Sequence, residues 1–122
     1  MFNKEKRKQK KAVDKYGKTT EMPMEKRKAK LMKFSVEDLM LVEKFLLDKK
    51  IVTEKEVDSH QATIEKLQKD ETMDTTGRNL SILFAQQYLE GYEKILTEIN
   101  QELSIIADIK KTLVNDLENE NL

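Results

Sequence analysis

Apolar residues recur at alternating spacings of three and four along the last third of the chain. Ten of the eleven positions that follow this spacing are apolar and one is a lysine: Ile82, Ala85, Leu89, Tyr92, Leu96, Ile99, Leu103, Ile106, Lys110, Leu113 and Leu117. Five heptads of such regularity predict one long helix, from about residue 78 to 118, with a coiled-coil-like seam. The seam is predicted to be the interface with a protein partner or a second copy, through Leu89, Tyr92, Leu96, Ile99, Leu103, Ile106 and Leu113.

The apolar stripe is wider than a two-stranded coiled coil needs, because Tyr88, Ile95 and Ile109 lie beside the seam. A wide stripe indicates a bundle, in which the long helix packs on its own chain and also on a partner. Gly91 lies in the middle of this helix, at an expected cost of about 1 kcal/mol relative to alanine. We expect a neighbouring helix to approach closely there, with a kink as the alternative.

Two shorter helices are predicted before the long one. Ser35 is suited to cap a helix over 36–50 that is apolar on most of its surface. Thr53 is suited to cap a second helix over 54–71, with a glutamate three residues later completing a capping box. The residues between the two, 51–53, are therefore predicted to form a link.

The same region carries a family resemblance. Residues 48–56 read Asp-Lys-Lys-Ile-Val-Thr-Glu-Lys-Glu, with Leu-Leu before them and Val57 after them. The stretch Leu39–Leu67 thereby resembles the SHOCT family, a short helical hairpin with an Asp-x-Gly-Ile-Ile-Thr-x-x-Glu turn. Lys50 stands here in place of the usual glycine, and Val57 in place of a common aromatic. The resemblance implies a helical oligomerisation or scaffolding element without catalysis.

Composition supports a helical protein of one domain. The chain has 122 residues, with three Gly, one Pro and no Trp. So few chain breakers argue against a β-rich fold with many turns, and the length leaves no room for two sizeable domains. The prediction is an all-α fold: a short helical hairpin and a long coiled-coil-like helix, forming one helical domain over residues 34–122.

Charge divides the chain at about residue 33. Residues 1–33 hold thirteen Lys or Arg and four Asp or Glu, whereas residues 34–122 hold ten and nineteen. The formal net charge of zero therefore hides a basic N-terminal arm and an acidic body. The arm has few apolar side chains to offset its ordering entropy, so we expect it to be disordered or weakly helical when free.

A basic arm of this kind is typical of a segment that binds phosphates. Tyr16 and Phe34, together with Phe2, are candidates for stacking on bases. An arm lying on the acidic body of its own or a sister chain, a solvated tail and an anionic membrane surface are the alternatives. The candidate nucleic-acid-binding residues are Lys4, Lys6, Arg7, Lys8, Lys10, Lys11, Lys15, Lys26, Arg27, Lys28 and Lys30.

Little else in the sequence points to chemistry. There is no Cys, and His60 is the only histidine, so neither a thiol nucleophile nor a His/Cys metal site is expected. Two acidic clusters, one at 54–58 and one at 70–74, lie at predicted helix ends, where acids are common. A phosphate loop at 75–79 lacks a Gly-Lys-Ser/Thr continuation. We therefore expect no catalytic residue, metal, cofactor or small-molecule substrate.

These features predict a non-enzymatic interaction protein. Its helices would bind protein, and its arm would bind nucleic acid or a nucleoprotein, as in a small phage- or plasmid-type accessory factor. The alternatives are an inhibitor or adaptor that acts by protein contact alone, for example on a host defence or replication enzyme, and a scaffolding module. No apolar run is long enough to cross a bilayer, and a cytoplasmic location is expected.

Overall fold

The computed structural model describes the backbone of residues 2–120 and the side chains of residues 4–119. Four helices account for most of it: α1 (Phe2–Gly17), α2 (Met24–Leu31), α3 (Val36–Gln68) and α4 (Thr75–Glu120). The described residues contain no strand, which confirms the all-α prediction. They form two compact units, one of residues up to Asp48 with those from Gln101 onward, and one of Lys49–Asn100.

Side-chain caps set the starts of the two long helices. The Ser35 hydroxyl accepts a hydrogen bond from the Asp38 N–H at 3.0 Å, and the Asp74 carboxylate accepts one from the Gly77 N–H at 3.1 Å. Each bond satisfies a backbone donor that has no partner within its helix. Because Asp74 is the cap, α4 begins at Thr75, three residues earlier than the periodicity predicted.

The predicted link at 51–53 is absent, since α3 continues through it without a break. The Thr53 hydroxyl does not cap a new helix but donates to the Lys49 carbonyl at 2.8 Å, one turn earlier in the same helix. Between Ser35 and Gln68 the chain has no Gly or Pro, so nothing in the sequence ends the helix. The turn that the SHOCT resemblance implied within this stretch is likewise not present.

The first unit contains α1, α2, the beginning of α3 and the end of α4. Leu39, Val42 and Ile106 are completely buried in its core. The arm contributes to that core as well, because Tyr16 of α1 and Leu31 of α2 are buried with them. Instead of a disordered or weakly helical arm, the structure has two helices whose inner sides are packed, and this packing supplies the burial that each helix lacks alone.

The second unit is a helical hairpin of the later part of α3 and the earlier part of α4, joined by residues 69–74. Val57 and Ile64 of α3 are buried, as are Ala85 and Ile99 of α4. Two helices cover only one side of each other, so their other sides face solvent. No helix within the described residues is both long and apolar enough to cross a membrane.

Gly91 lies on an open side of this hairpin, contrary to the expectation of a close helix approach. A Cβ atom built there would meet nothing within 4 Å. The residue is exposed, and α4 runs through it uninterrupted. The second unit therefore gives no steric reason for glycine at this position.

Candidate nucleic-acid interface

Helix α1 has an inner side that packs on the rest of the first unit and an outer side that is rich in cations. Ala12 and Tyr16 are 2% and 5% exposed, and Val13 beside them is half-buried. Successive residues of a helix are rotated by about 100° around its axis. The opposite side of α1 is therefore formed by residues rotated by about 200° from Ala12 and Tyr16. That side carries four exposed cations and one acid: Lys4, Arg7, Lys10, Lys11 and Asp14. Lys18, in the turn directly after the helix, is a fifth exposed cation.

Helix α2 repeats this arrangement over a shorter length. Arg27 and Leu31 point inward and are 4% and 0% exposed. Lys26, Lys30 and Lys33 are exposed and line one shallow groove, which also contains an acid; its other lining residues are Glu21, Met22, Pro23 and Ala29. The spacing of four and three places these lysines on one side. We call the exposed cations on the outer sides of the two helices, with Lys18 and Lys33 in the turns that follow them, the basic face: Lys4, Arg7, Lys10, Lys11, Lys18, Lys26, Lys30 and Lys33.

A buried polar cluster connects both helices to Glu102, which lies just past the middle of α4. The Arg27 guanidinium donates to the Glu102 carboxylate through Nη1 at 3.1 Å and through Nη2, and to the Tyr16 hydroxyl at 2.9 Å. Tyr16 in turn donates to Glu102. Thr19 accepts from Arg27 Nε at 3.3 Å and donates to the Tyr16 carbonyl at 2.7 Å.

Electrostatics in this cluster favour one protonation state. Burial, reinforced by the Glu102 carboxylate, raises the pKa of the Tyr16 phenol well above its ordinary value of 10.0. Burial alone would lower the pKa of Arg27, but the bonds to Glu102 and Tyr16 outweigh it and the pKa is raised. The cluster thus holds a neutral phenol beside an ion pair. No buried side-chain nitrogen or oxygen in the described part of the chain lacks a hydrogen-bond partner.

Two exposed ion pairs lie along the edge of α1. Lys8 Nζ is 3.7 Å from Glu37 Oε1, and Lys15 Nζ is 3.5 Å from Asp38 Oδ2. Lys15 also lies 4.3 Å from the centre of the Phe34 ring. Together with the buried cluster, these pairs show part of the basic arm resting on acidic residues of its own chain.

The predicted nucleic-acid-binding residues are accordingly not equivalent. Arg27 is enclosed by Glu102 and cannot reach a phosphate, which corrects its place in the predicted set. Lys8 and Lys15 face acids of α3, and Lys6 lines a polar cleft beside them. The remaining members are exposed: Lys4, Arg7, Lys10, Lys11, Lys26, Lys28 and Lys30.

Residue spacing on the two helices adds two cations that the predicted set omitted. Lys18 and Lys33 are exposed and continue the outer sides of α1 and α2. The proposed stacking residues Tyr16 and Phe34 are 5% and 4% exposed, so neither is available to a base. The side chain of Phe2 lies outside the described residues.

The residues of the predicted α4 seam are mostly buried or half-buried by their own chain. Ile99 and Ile106 are 4% and 0% exposed, so they are core residues rather than interface residues. Tyr92 lies 5.3 Å from the His60 ring, measured between ring centres, in the second unit. The other predicted interface positions are half-buried within one chain: Leu89, Tyr92, Leu96, Leu103 and Leu113.

The described residues were also compared with the requirements of a metal site and of a catalytic histidine. No group of three or more His, Asp or Glu side chains within it is placed to hold a metal ion. His60 lies between Tyr88 and Tyr92, with Nδ1 2.8 Å from the Glu56 carbonyl, which is a packed helix position. Comparisons with protein-family models, with curated proteins and with solved structures give no significant match.

Proposed function

We propose that the protein is a non-enzymatic binding protein that contacts the phosphate backbone of nucleic acid through the basic face. The observation that carries this proposal is the sorting of charge on α1 and α2. Eight cations point outward, whereas the inner sides of the same two helices are fixed by packing and by the Arg27–Glu102 pair. Cations that folding does not require are available for a polyanion.

The chemistry of this face supports backbone binding rather than base reading. Lysine and arginine neutralise phosphates and release condensed counterions, which makes affinity fall steeply with salt. The aromatic residues near the face, Tyr16 and Phe34, are buried, so stacking on bases has no support from the described side chains. Binding is therefore expected to be largely independent of sequence. With five or more phosphates contacted, the logarithm of affinity should fall with a slope of about −4 or steeper against the logarithm of salt.

A charge-reversal experiment tests the proposal. Fluorescence anisotropy with a labelled duplex and a labelled single strand would compare the wild type with Lys10→Glu/Lys11→Glu, between 50 and 200 mM salt. We expect the double variant to bind at least about tenfold more weakly at 100 mM salt and to show a shallower salt slope.

The matched control is Lys69→Glu/Lys111→Glu, which reverses the same charge at exposed lysines outside the basic face. The control should bind like the wild type. Equal losses in both double variants would mean that only net charge matters. Absence of binding by the wild type at 50 mM salt would rule out the proposal.

A protein-only adaptor or inhibitor is the second candidate. The observation that favours it is a shallow apolar groove on α3, lined by Met40, Leu41 and Leu47, in which Met40 is 55% exposed. Such grooves accommodate apolar side chains of a partner protein. If the wild type binds no nucleic acid in the experiment above, this candidate takes precedence.

A further inference from the structure

Helix α4 presents a largely exposed apolar surface in the second unit, at the edge of which Tyr88 also contacts the His60 ring. Its side chains have exposed fractions of 51% for Leu80, 52% for Phe84, 63% for Tyr88 and 37% for Ile95. Their spacing of four, four and seven keeps them on one side of the helix, next to the predicted seam. We call this surface the outer face of α4: Leu80, Leu83, Phe84, Gln87, Tyr88, Gly91 and Ile95. None of these residues is charged.

We propose that the outer face of α4 is covered by the same face of a second copy of this chain, with the two helices antiparallel. A two-fold axis between Gln87 and Tyr88 would pair residues whose numbers sum to 175. Leu80 of one copy then lies opposite Ile95 of the other, and Phe84 lies opposite Gly91. A surface that meets its own copy about a two-fold axis must be complementary to itself in this way.

The shapes of the paired residues fit this register. Gly91 forms the floor of a shallow groove of about 270 Å³, bordered by Tyr88, Tyr92 and Ile95. A Cβ atom at Gly91 would meet nothing within 4 Å in the single chain. Phe84, the largest apolar side chain near the opposite position, is half-exposed and has room to enter that groove. The pairing gives the exposed glycine a steric reason that the single chain lacks.

The area available suits a weak dimer. Covering these partly exposed side chains would remove roughly 500 Å² per copy, or about 1,000 Å² in total, which is the lower limit for a specific interface. We therefore expect dissociation in the micromolar range. Pairing of copies is independent of nucleic-acid binding, because the outer face of α4 shares no residue with the basic face.

Cysteine cross-linking tests both the pairing and its direction, since the chain has no cysteine of its own. Gln87→Cys lies next to the proposed axis and should form a disulfide-linked dimer under mild oxidation. Leu80→Cys should not link to itself, because the two copies of residue 80 would be about 22 Å apart along the helix axis. A mixture of Leu80→Cys and Ile95→Cys should link rapidly.

Sedimentation of the full chain supplies an independent measurement. We expect the average mass of the wild type to rise with concentration, and Phe84→Glu to raise the dissociation constant at least tenfold. The control is Val114→Glu, at a position of α4 that is 47% exposed and outside the face. Circular dichroism establishes that each variant is folded.

Three results would overturn the proposal. One is a wild type that stays monomeric at all concentrations. Another is self-linking of Leu80→Cys as fast as that of Gln87→Cys, which would indicate parallel helices. The third is an equal loss of dimer in Phe84→Glu and Val114→Glu. Association with lipid vesicles or a different protein without self-association would assign the face to another occupant.

Discussion

At the scale of single residues, burial separates side chains that the sequence presents as alike. Arg27 has lysines at 26, 28 and 30, yet it alone in this run is buried, because the helix turns it toward Glu102. No local pattern distinguishes it, since its partner lies 75 residues away along the chain. The sequence therefore shows that the segment is basic, but it does not show which of the cations is buried in an ion pair.

The variant Glu102→Ala tests how much the buried Arg27–Glu102 pair contributes to the stability of the fold. In Glu102→Ala the Arg27 guanidinium stays buried without its carboxylate, which should lower the free energy of unfolding by roughly 3 kcal/mol. Glu43→Ala removes the carboxylate of the more exposed pair with Lys110 at 3.2 Å and should cost about 1 kcal/mol or less. Urea unfolding of both variants measures the difference. Equal losses would mean that the Arg27 pair has no special role.

Alkaline pH should act on Tyr16 in the same cluster. Its pKa is raised in the folded chain, mainly by burial, so folding favours the neutral phenol. The resulting stability is complete below the unfolded pKa near 10 and is lost as pH rises above it. Unfolding free energies measured from pH 8 to 11 should therefore fall more steeply in the wild type than in Tyr16→Phe. Parallel pH profiles would contradict the assignment.

At the scale of the helices, periodicity and breakers have different predictive value. The three–four spacing over residues 82–117 predicted α4, because a long regular stripe has few other solutions. The capping-box motif at Thr53 predicted a helix start that the structure does not contain. The same motif is compatible with the middle of a helix, and here the Thr53 hydroxyl donates to the Lys49 carbonyl of the preceding turn. Residues 36–68 contain no Gly or Pro that would end α3.

A proline at position 54 distinguishes the two interpretations of α3. If Thr53 were a cap, Glu54→Pro would occupy the first helical position, where proline is well tolerated. In the continuous α3 it should instead cost about 3 kcal/mol or more, because a hydrogen bond is lost and the ring clashes with the preceding turn. Thr75→Pro, the first residue of α4 after the Asp74 cap, is the tolerated control. Thermal unfolding of both variants decides.

Gly91 offers a test in the opposite direction. Gly91→Ala should stabilise the monomer by about 1 kcal/mol at low concentration, because alanine favours the helix and nothing obstructs its Cβ. Gly77→Ala is the comparison, since its Cβ would meet the Asp74 cap and the gain should be smaller. Thermal unfolding at dilute concentration checks both. A loss of stability in Gly91→Ala would mean that α4 has a close neighbour there.

At the scale of the whole molecule, the basic arm is part of the folded structure. Its charge and low apolar content argued for disorder, and the few apolar residues it has, such as Ala12 and Leu31, proved to be placed on the inner sides of α1 and α2. Hydrogen bonds in the buried polar cluster attach the arm further to the rest of the first unit; its members are Tyr16, Thr19, Arg27 and Glu102. The sequence carries no local signal for such a cluster, because its members are distant along the chain. The distribution of charge was predictable from the sequence, whereas the attachment was not.

Deleting residues 2–22 should therefore do more than remove cations. It takes away Tyr16 and Thr19 and leaves Arg27 and Glu102 with fewer partners. Hydrogen exchange should become faster in the first unit, at residues 36–48 and 101–115, while the amides of residues 57–64 and 82–99 keep their protection. Unchanged exchange throughout would mean that the arm contributes nothing to the fold.

The Arg27–Glu102 cluster also has a consequence for how the sequence can vary. The residues that hold α1 and α2 in place are not the residues that face outward, so attachment and surface charge are separate properties of the same short segment. Substitutions at Lys10, Lys18 or Lys30 leave the cluster intact and change only the surface potential. The charge on the outer sides of these helices can therefore change over generations, or by design, without renewed selection for folding.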